Sequence, residues 1–487
     1  MMKPRLSGRY QEHIQNHGLG SCPCHGPMAL RVFRVMEEGL SRRGLLKASL
    51  GAAALVMGGA PGRAAAQDRP RLRLSGARIF DGRAAGLIEG RDILIEGGRI
   101  AGLIAQDEIV SDAQRIDCSG KVIMPGMIDA HWHCFLAALP NAVAMTADAG
   151  YLHLLAAQEA GATLARGFTT VRDVGGPSFA LKRAVDEGML PGPRIYPSGA
   201  MISQTSGHGD FRLRFDGPQT AMSPLSPAED VGISIISDGV PDILRRTREQ
   251  LLQGASQIKI MVGGGVSSRF DPLDSIQFTP DEIAAAVQAA ADWGTYVCAH
   301  VYTAPGILRA LSAGVRSIEH GQLADAEAAR RMADAGAWWS LQPFLADEDA
   351  NPQAGALAQA QQREIAEGTV RAFELAQRFA VKTAVGTDIL FSPAKVATQG
   401  RQIAKIARFM SPVDVLRLVT SANGELVAMS GARNPYPAPL GVIEAGALAD
   451  MIALEGNPID DIALIGQPDR MALIVKDGVV CKNTIDA

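Results

Sequence analysis

The sequence predicts an α/β fold: a (β/α)8 barrel with a small β-sandwich domain formed by both ends of the mature chain. Three observations predict it. Alternating β-like runs stand at both ends, apolar strand-like runs alternate with Ala/Leu-rich helical stretches between them, and the scarce histidines gather where those central runs stop.

The chain is long enough for a large core, with 487 residues of which 47% are hydrophobic and 20% charged. Its 52 glycines and low aromatic content of 5% suit many tight βα turns. A formal charge of -4 gives no general attraction to nucleic acid or anionic lipid, so neither is expected as a partner.

Residues 1–35 read as a leader or an upstream start, with Met36 an alternative initiator. Cys22-Pro-Cys24-His25 resembles half a zinc knuckle, but no second pair follows at suitable spacing. Residues 36–66 read as a twin-arginine (Tat) export signal. Arg42-Arg43 precedes an apolar run from Ala48 to Ala60, and Ala64-Ala65-Ala66 offers a cleavage site. The expected destination is the periplasm or the medium, with no membrane association after cleavage. Four cysteines remain in the mature part, Cys118, Cys134, Cys298 and Cys481, too scattered for a disulfide scaffold.

Residues 67–125 carry short alternating runs such as Asp92-Ile-Leu-Ile-Glu96, separated by turns such as Gly97-Gly98. Residues 436–487 repeat the pattern in Asp450-Met-Ile-Ala-Leu454 and Leu473–Val480, so the two ends are expected to form one discontinuous β domain. Between them, residues 126–435 hold eight strand-like runs, near 128–133, 168–173, 194–200, 257–262, 295–300, 315–320, 337–342 and 381–387. Pro280–Ala291 is a plain helix with Thr279 as its N-cap. Gly175-Gly176, Leu213–Gly239 and Phe344–Gly368 are expected as walls and lids of a pocket.

Of six histidines beyond the leader, five lie at or just beyond the end of a strand-like run: His131, His133, His208, His300 and His320. His153 falls on a helical stretch and reads as packing or surface. In Asp129-Ala-His131-Trp-His133, alternate strand residues point the same way, so two imidazoles can grip one metal. Lys259 interrupts the apolar run Ile258–Val262, where burial of a cation is costly unless it is neutralised or paired. Val385-Gly-Thr-Asp388 ends the last run with a carboxylate. Each feature alone also fits a satisfied core residue; all of them at C-terminal strand ends point to a site.

The set His131, His133, Lys259, His300, His320 and Asp388 resembles the binuclear amidohydrolase pattern, in the order of strands one, four, five, six and eight. The resemblance implies two divalent metals, zinc by default, and a Lys259 carboxylated by carbon dioxide into an anionic bridge. It implies that His131, His133 and Asp388 hold one metal and His300 and His320 the other. The expected mechanism is attack on an amide carbonyl by a hydroxide bridging the metals, with Asp388 moving protons. His208, in Ser206-Gly-His208-Gly-Asp210, is the candidate for steadying the oxyanion.

Thr170–Gly176, Ser206–Asp210, Ile258–Ser268 and Ala299–Tyr302 are most similar to the imidazolonepropionase-like and prolidase-like dipeptidases, with ochratoxin amidohydrolases as relatives. That implies a small-molecule or dipeptide substrate cut before a C-terminal amino acid. Tyr302 departs from the ochratoxin amidohydrolase pattern and favours the dipeptidase. Tyr302 and Arg269 are candidates for the substrate carboxylate. Barrels of this group often assemble, so a homo-oligomer is expected. Rival readings are an ochratoxin-type aryl amide hydrolase, a mononuclear deaminase, which does not need Lys259, and a non-catalytic scaffold, which loses ligands.

Overall fold

A computed structural model describes residues 71–217, 223–266, 270–350, 353 and 355–485. The leader, the export signal and Arg269 lie outside the described residues.

The first strands are β1 (Arg71–Ser75), β2 (Arg78–Ile79), β3 (Arg91–Glu96), β4 (Arg99–Ala105), β5 (Ala113–Asp117) and β6 (Val122–Pro125). The last are β17 (Met451–Leu454), β18 (Met471–Lys476) and β19 (Val479–Asn483). One sheet has the order β4-β3-β1-β5; the other, β19-β18-β17-β6-β2, brings both chain ends together. There β17 runs antiparallel to β6 with Met451 opposite Pro125 and Leu454 opposite Val122. Alternating apolar residues of both sheets, among them Leu72, Ile93, Ile123, Met451 and Leu473, share one buried cluster.

The central strands are β7 (Met127–Trp132), β8 (Phe168–Asp173), β9 (Arg194–Pro197), β10 (Met201–Ser203), β11 (Ser234–Ile236), β12 (Ile258–Met261), β13 (Val297–Thr303), β14 (Ser317–Leu323), β15 (Trp338–Leu341) and β16 (Lys382–Val385). They form two parallel sheets, β7-β8-β9 and β11-β10-β12-β13-β14-β15-β16, rather than one continuous ring. Most are buried along their whole length, as parallel strands covered by helices are. The helix at Pro280–Asp292 starts at Thr279 with a capping box to Glu282, as its sequence predicts.

The run expected at 194–200 is split. Pro197 closes β9 and Gly199 (φ +75°) turns the chain before β10, which pairs with β12 instead of β8. The Gln257 side-chain amide spans that break, donating to Tyr196 O at 2.9 Å and Asp173 O at 3.2 Å. Between β16 and β7, Asn423 joins the backbones, donating to Ile128 O and Val385 O and accepting from Val385 N. The segment expected as a lid at 213–239 contains β11 and a short helix, Pro227–Val231, which sequence pattern did not reveal. Cys134, Cys298 and Cys481 are free thiols, the first two buried. No helix among the described residues is long and apolar enough to cross a membrane.

Candidate metal centre

Parallel pairing puts the chemistry-bearing residues at one end of the strands. Met261, two residues past Lys259, lies level with His300, and Val301 lies level with His320. His131, His133, Lys259, His300, His320 and Asp388 all line one cavity of about 360 Å³, together with His208 and Tyr302. Ligand atoms of His131, His320 and Asp388 lie within 4.8 Å of one another. His133 Nε2 is 3.3 Å, and His131 Nε2 3.5 Å, from Asp388 Oδ1. The His300 and His320 rings are 4.5 Å apart between centroids.

Backbone geometry shows the effort spent on this convergence. His320 (φ +72°) and Asp388 (φ +48°) both occupy the left-handed region, which costs a non-glycine residue about 1–3 kcal/mol. Gly386 lets the end of β16 close on β7, since a Cβ there would lie 2.2 Å from His131 N.

Each imidazole has one nitrogen engaged by a protein acceptor. His131 Nδ1 donates to Glu319 (2.8 Å), His133 Nδ1 to Gly175 O (3.1 Å), His300 Nε2 to Gly264 O (3.1 Å) and His320 Nδ1 to Gln342 Oε1 (2.8 Å). Carbonyl and carboxylate oxygens only accept, so the proton sits on the engaged nitrogen and the other is left with its lone pair. Burial, with Lys259 nearby, pushes His131 down to about 4, and burial likewise holds His300 and His320 well below the usual range. Neutral imidazoles are the form that binds a cation.

Asp388 is the opposite case. Burial works to raise its pKa, but the surrounding His131, His133 and His320 outweigh it and hold the group below the ordinary carboxylate range. Its Oδ1 is buried without a hydrogen-bond partner while facing two imidazole nitrogens. Lys259 is 1% exposed, and among the described residues no carboxylate forms an ion pair with it. Glu319, the nearest anion by influence, is already held by Arg172. Burial therefore moves the Lys259 amine below the ordinary lysine range, with Glu319, Cys298 and Asp388 opposing. An orphaned carboxylate oxygen, four imidazoles each with one nitrogen left unengaged and an unpaired buried lysine are a donor set that fits divalent metal.

His208 stacks on His300 at 4.0 Å between centroids, and its Nδ1 donates to Asp271 at 3.0 Å. Tyr302 stacks on His320 at 5.0 Å; burial, then Asp388, keeps its phenol protonated by raising its pKa well above 10. His153 lies away from this group on the helix Ala149–Ala165, edge-on to Phe135.

Glu319, Arg172, Gln342 and Asp271 escaped the sequence reading as site residues. Lys259 stands out in the apolar strand IKIM, whereas Arg172 and Glu319 lie in the more polar strands FTTVRD and SIEHGQL, where a charged residue does not stand out.

Residues 122–481 match the Amidohydrolase family. An ochratoxinase from Aspergillus niger is 32% identical over 384 residues, spanning 74% of this chain and 76% of that protein. Among solved structures, a prolidase complexed with N-methylphosphonate-L-proline superposes with a TM-score of 0.78 at 34% identity, covering 85% of this chain and 100% of that one. A Xaa-Pro dipeptidase with methionine in its active site superposes at 0.73 with 28% identity, over 85% of this chain and 100% of that one. The likeness to these proteins implies a TIM-barrel-type α/β fold, and the chain is α/β with parallel sheets.

Proposed function

The chain belongs to the amidohydrolase family, hydrolases of amide and peptide C–N bonds, and from that premise we propose that it cleaves the amide before a C-terminal amino acid, in dipeptides or N-acyl amino acids. The observation that carries the proposal is the convergence of four imidazoles, Lys259 and Asp388 on one cavity, with Asp388 Oδ1 unsatisfied there. His131, His133 and Asp388 would hold one divalent metal, His300 and His320 a second, with zinc the default for nitrogen and oxygen ligands. Bound, such cations acidify water and polarise the carbonyl under attack.

The chain's own groups do the rest. Burial drives the Lys259 amine toward its uncharged form, the form that would add carbon dioxide, lose a proton and become a carbamate anion. Asp388, ionised and central, takes the proton from the attacking water and returns it to the leaving nitrogen. His208 steadies the oxygen of the carbonyl as charge develops on it. Tyr302 offers its phenol hydrogen, and Arg269 its guanidinium, to the substrate carboxylate. The two parallel sheets are read as arcs of one (β/α)8 barrel, and the two sheets built from the chain ends as its β-sandwich companion. Arg42-Arg43 and the following apolar run support export through a Tat signal.

The apolar cavity wall, with Phe211, Leu345, Phe344 and Phe391, and the likeness to the ochratoxinase favour a second reading, hydrolysis of an aryl amide such as ochratoxin A. Metal content and a substrate panel test both. Near two zinc per chain supports the proposal; one supports a deaminase, and none a scaffold. Xaa-Pro, Xaa-Arg, Xaa-Phe, N-acyl amino acids and ochratoxin A form the panel, and turnover of none of them overturns the proposal.

A further inference from the structure

We propose that Glu319 is a positioning residue for His131, held in that task by Arg172. This rests on the metal reading above and concerns how one ligand is kept in place. Arg172 on β8 and Glu319 on β14 are 147 residues apart in sequence, and both are fully buried in the strand interior. Arg172 Nη2 donates to the two Glu319 carboxylate oxygens at 2.7 and 2.6 Å. Ser317 Oγ donates to the same carboxylate at 2.7 Å, and His131 Nδ1 completes it at 2.8 Å.

The guanidinium also grips the other side of that histidine. Its Nε donates at 2.6 Å to Ala130 O, the carbonyl of the residue just before His131. Its remaining reach goes to Tyr296 and Ser317 hydroxyls through Nη1 and to Ser340 Oγ through Nη2. One arginine thus fixes both the backbone that carries His131 and the carboxylate that holds its ring. A carboxylate on Nδ1 sets the tautomer and the ring's rotation, so Nε2 presents its lone pair in a constant direction. Because Glu319 immediately precedes His320, the same strand supplies one ligand and the brace of another. The 4.8 Å spacing of the His131 and His320 rings is therefore coupled through β14.

A purely stabilising role predicts something different. A buried ion pair is replaceable by apolar residues of similar size with little loss of fold stability, whereas a ligand brace is not replaceable without loss of metal. The test uses the full chain stripped of metal, with zinc binding followed by chelator competition and stoichiometry by elemental analysis. Two variants are compared: Glu319→Gln, and the double variant Arg172→Met/Glu319→Gln, which removes both buried charges together. The expected result is that one of two zinc ions binds about 10–100-fold more weakly in both variants, the other being unchanged. Zinc affinity equal to wild type at both sites in a folded variant overturns the proposal. If Glu319→Gln does not fold, the double variant decides. If neither folds, the pair serves the fold rather than the ligand, and the proposal falls. A wild-type chain that binds no divalent metal rejects the metal reading itself, a separate failure.

Discussion

Gly265→Ala is the sharpest probe of His208. A Cβ at Gly265 would stand 2.0 Å from His208 Cε1, 2.5 Å from Nδ1 and 2.8 Å from Nε2. Carbon atoms in contact settle at about 3.5 Å or more, so the ring and the new methyl must separate by about 1.5 Å. The backbone has little room to yield. Gly265 N donates to Asp271 at 3.0 Å, and a Cβ on neighbouring Gly264 would fall 1.9 Å from Pro272 O. The His208 ring therefore moves, off its stack on His300 and out of line with Asp271. Displacing a catalytic group by about 1 Å costs on the order of 100-fold in rate. Steady-state kinetics on the best amide of the panel should show kcat down by about that factor, with zinc content intact. His208→Asn should show a similar loss, and the double variant should be no worse than His208→Asn alone. Wild-type turnover in Gly265→Ala would refute the assignment of His208 to the reaction, and loss of zinc in His208→Asn would make it a ligand instead.

Lys259→Ala should abolish measurable turnover and lower metal content; a variant with two metals and full activity would remove the lysine from the centre. Asp388→Asn should lower kcat by about 100-fold to 10,000-fold, the usual contribution of a general acid–base. Unchanged kcat would deny it that role. Chelation should abolish activity and added zinc restore it, whereas activity persisting in fully stripped protein would exclude metal from the reaction. Trp339 is fully buried and its Nε1 donates to His320 O at 2.7 Å. Trp339→Ala should cost about 3–5 kcal/mol in denaturant unfolding, and a loss below about 1 kcal/mol would show that the site beneath His320 collapses without strain.

What was legible in the sequence was whatever has a short period. His131 on β7 and His133 just past its end both reach Asp388, as their i, i+2 spacing suggested, and His300 and His320 are one βα repeat apart, so their meeting at one end follows from local pattern. The helix at 280–292 declared itself by Thr279, Pro280 and Glu282 within four residues. Strand ends were less legible. The break at Pro197–Gly199 decides that β10 leaves β8 and β9 for β12, and only the course of the chain in space makes that visible.

The arrangement around the ligands belongs to tertiary structure altogether. Arg172 reaches Glu319, Glu319 reaches His131 across 188 residues, and Asn423 joins β7 to β16 across 295. Sequence placed Lys259 in an apolar run without deciding between the strand interior and its rim; nor could it show that Glu319, the anion best placed to neutralise it, is already committed to Arg172. The physical reason is that strand periodicity is set by bonded neighbours. Which buried charge pairs with which is set by the low-dielectric interior, where every polar group must find its partner among residues that only folding brings within reach.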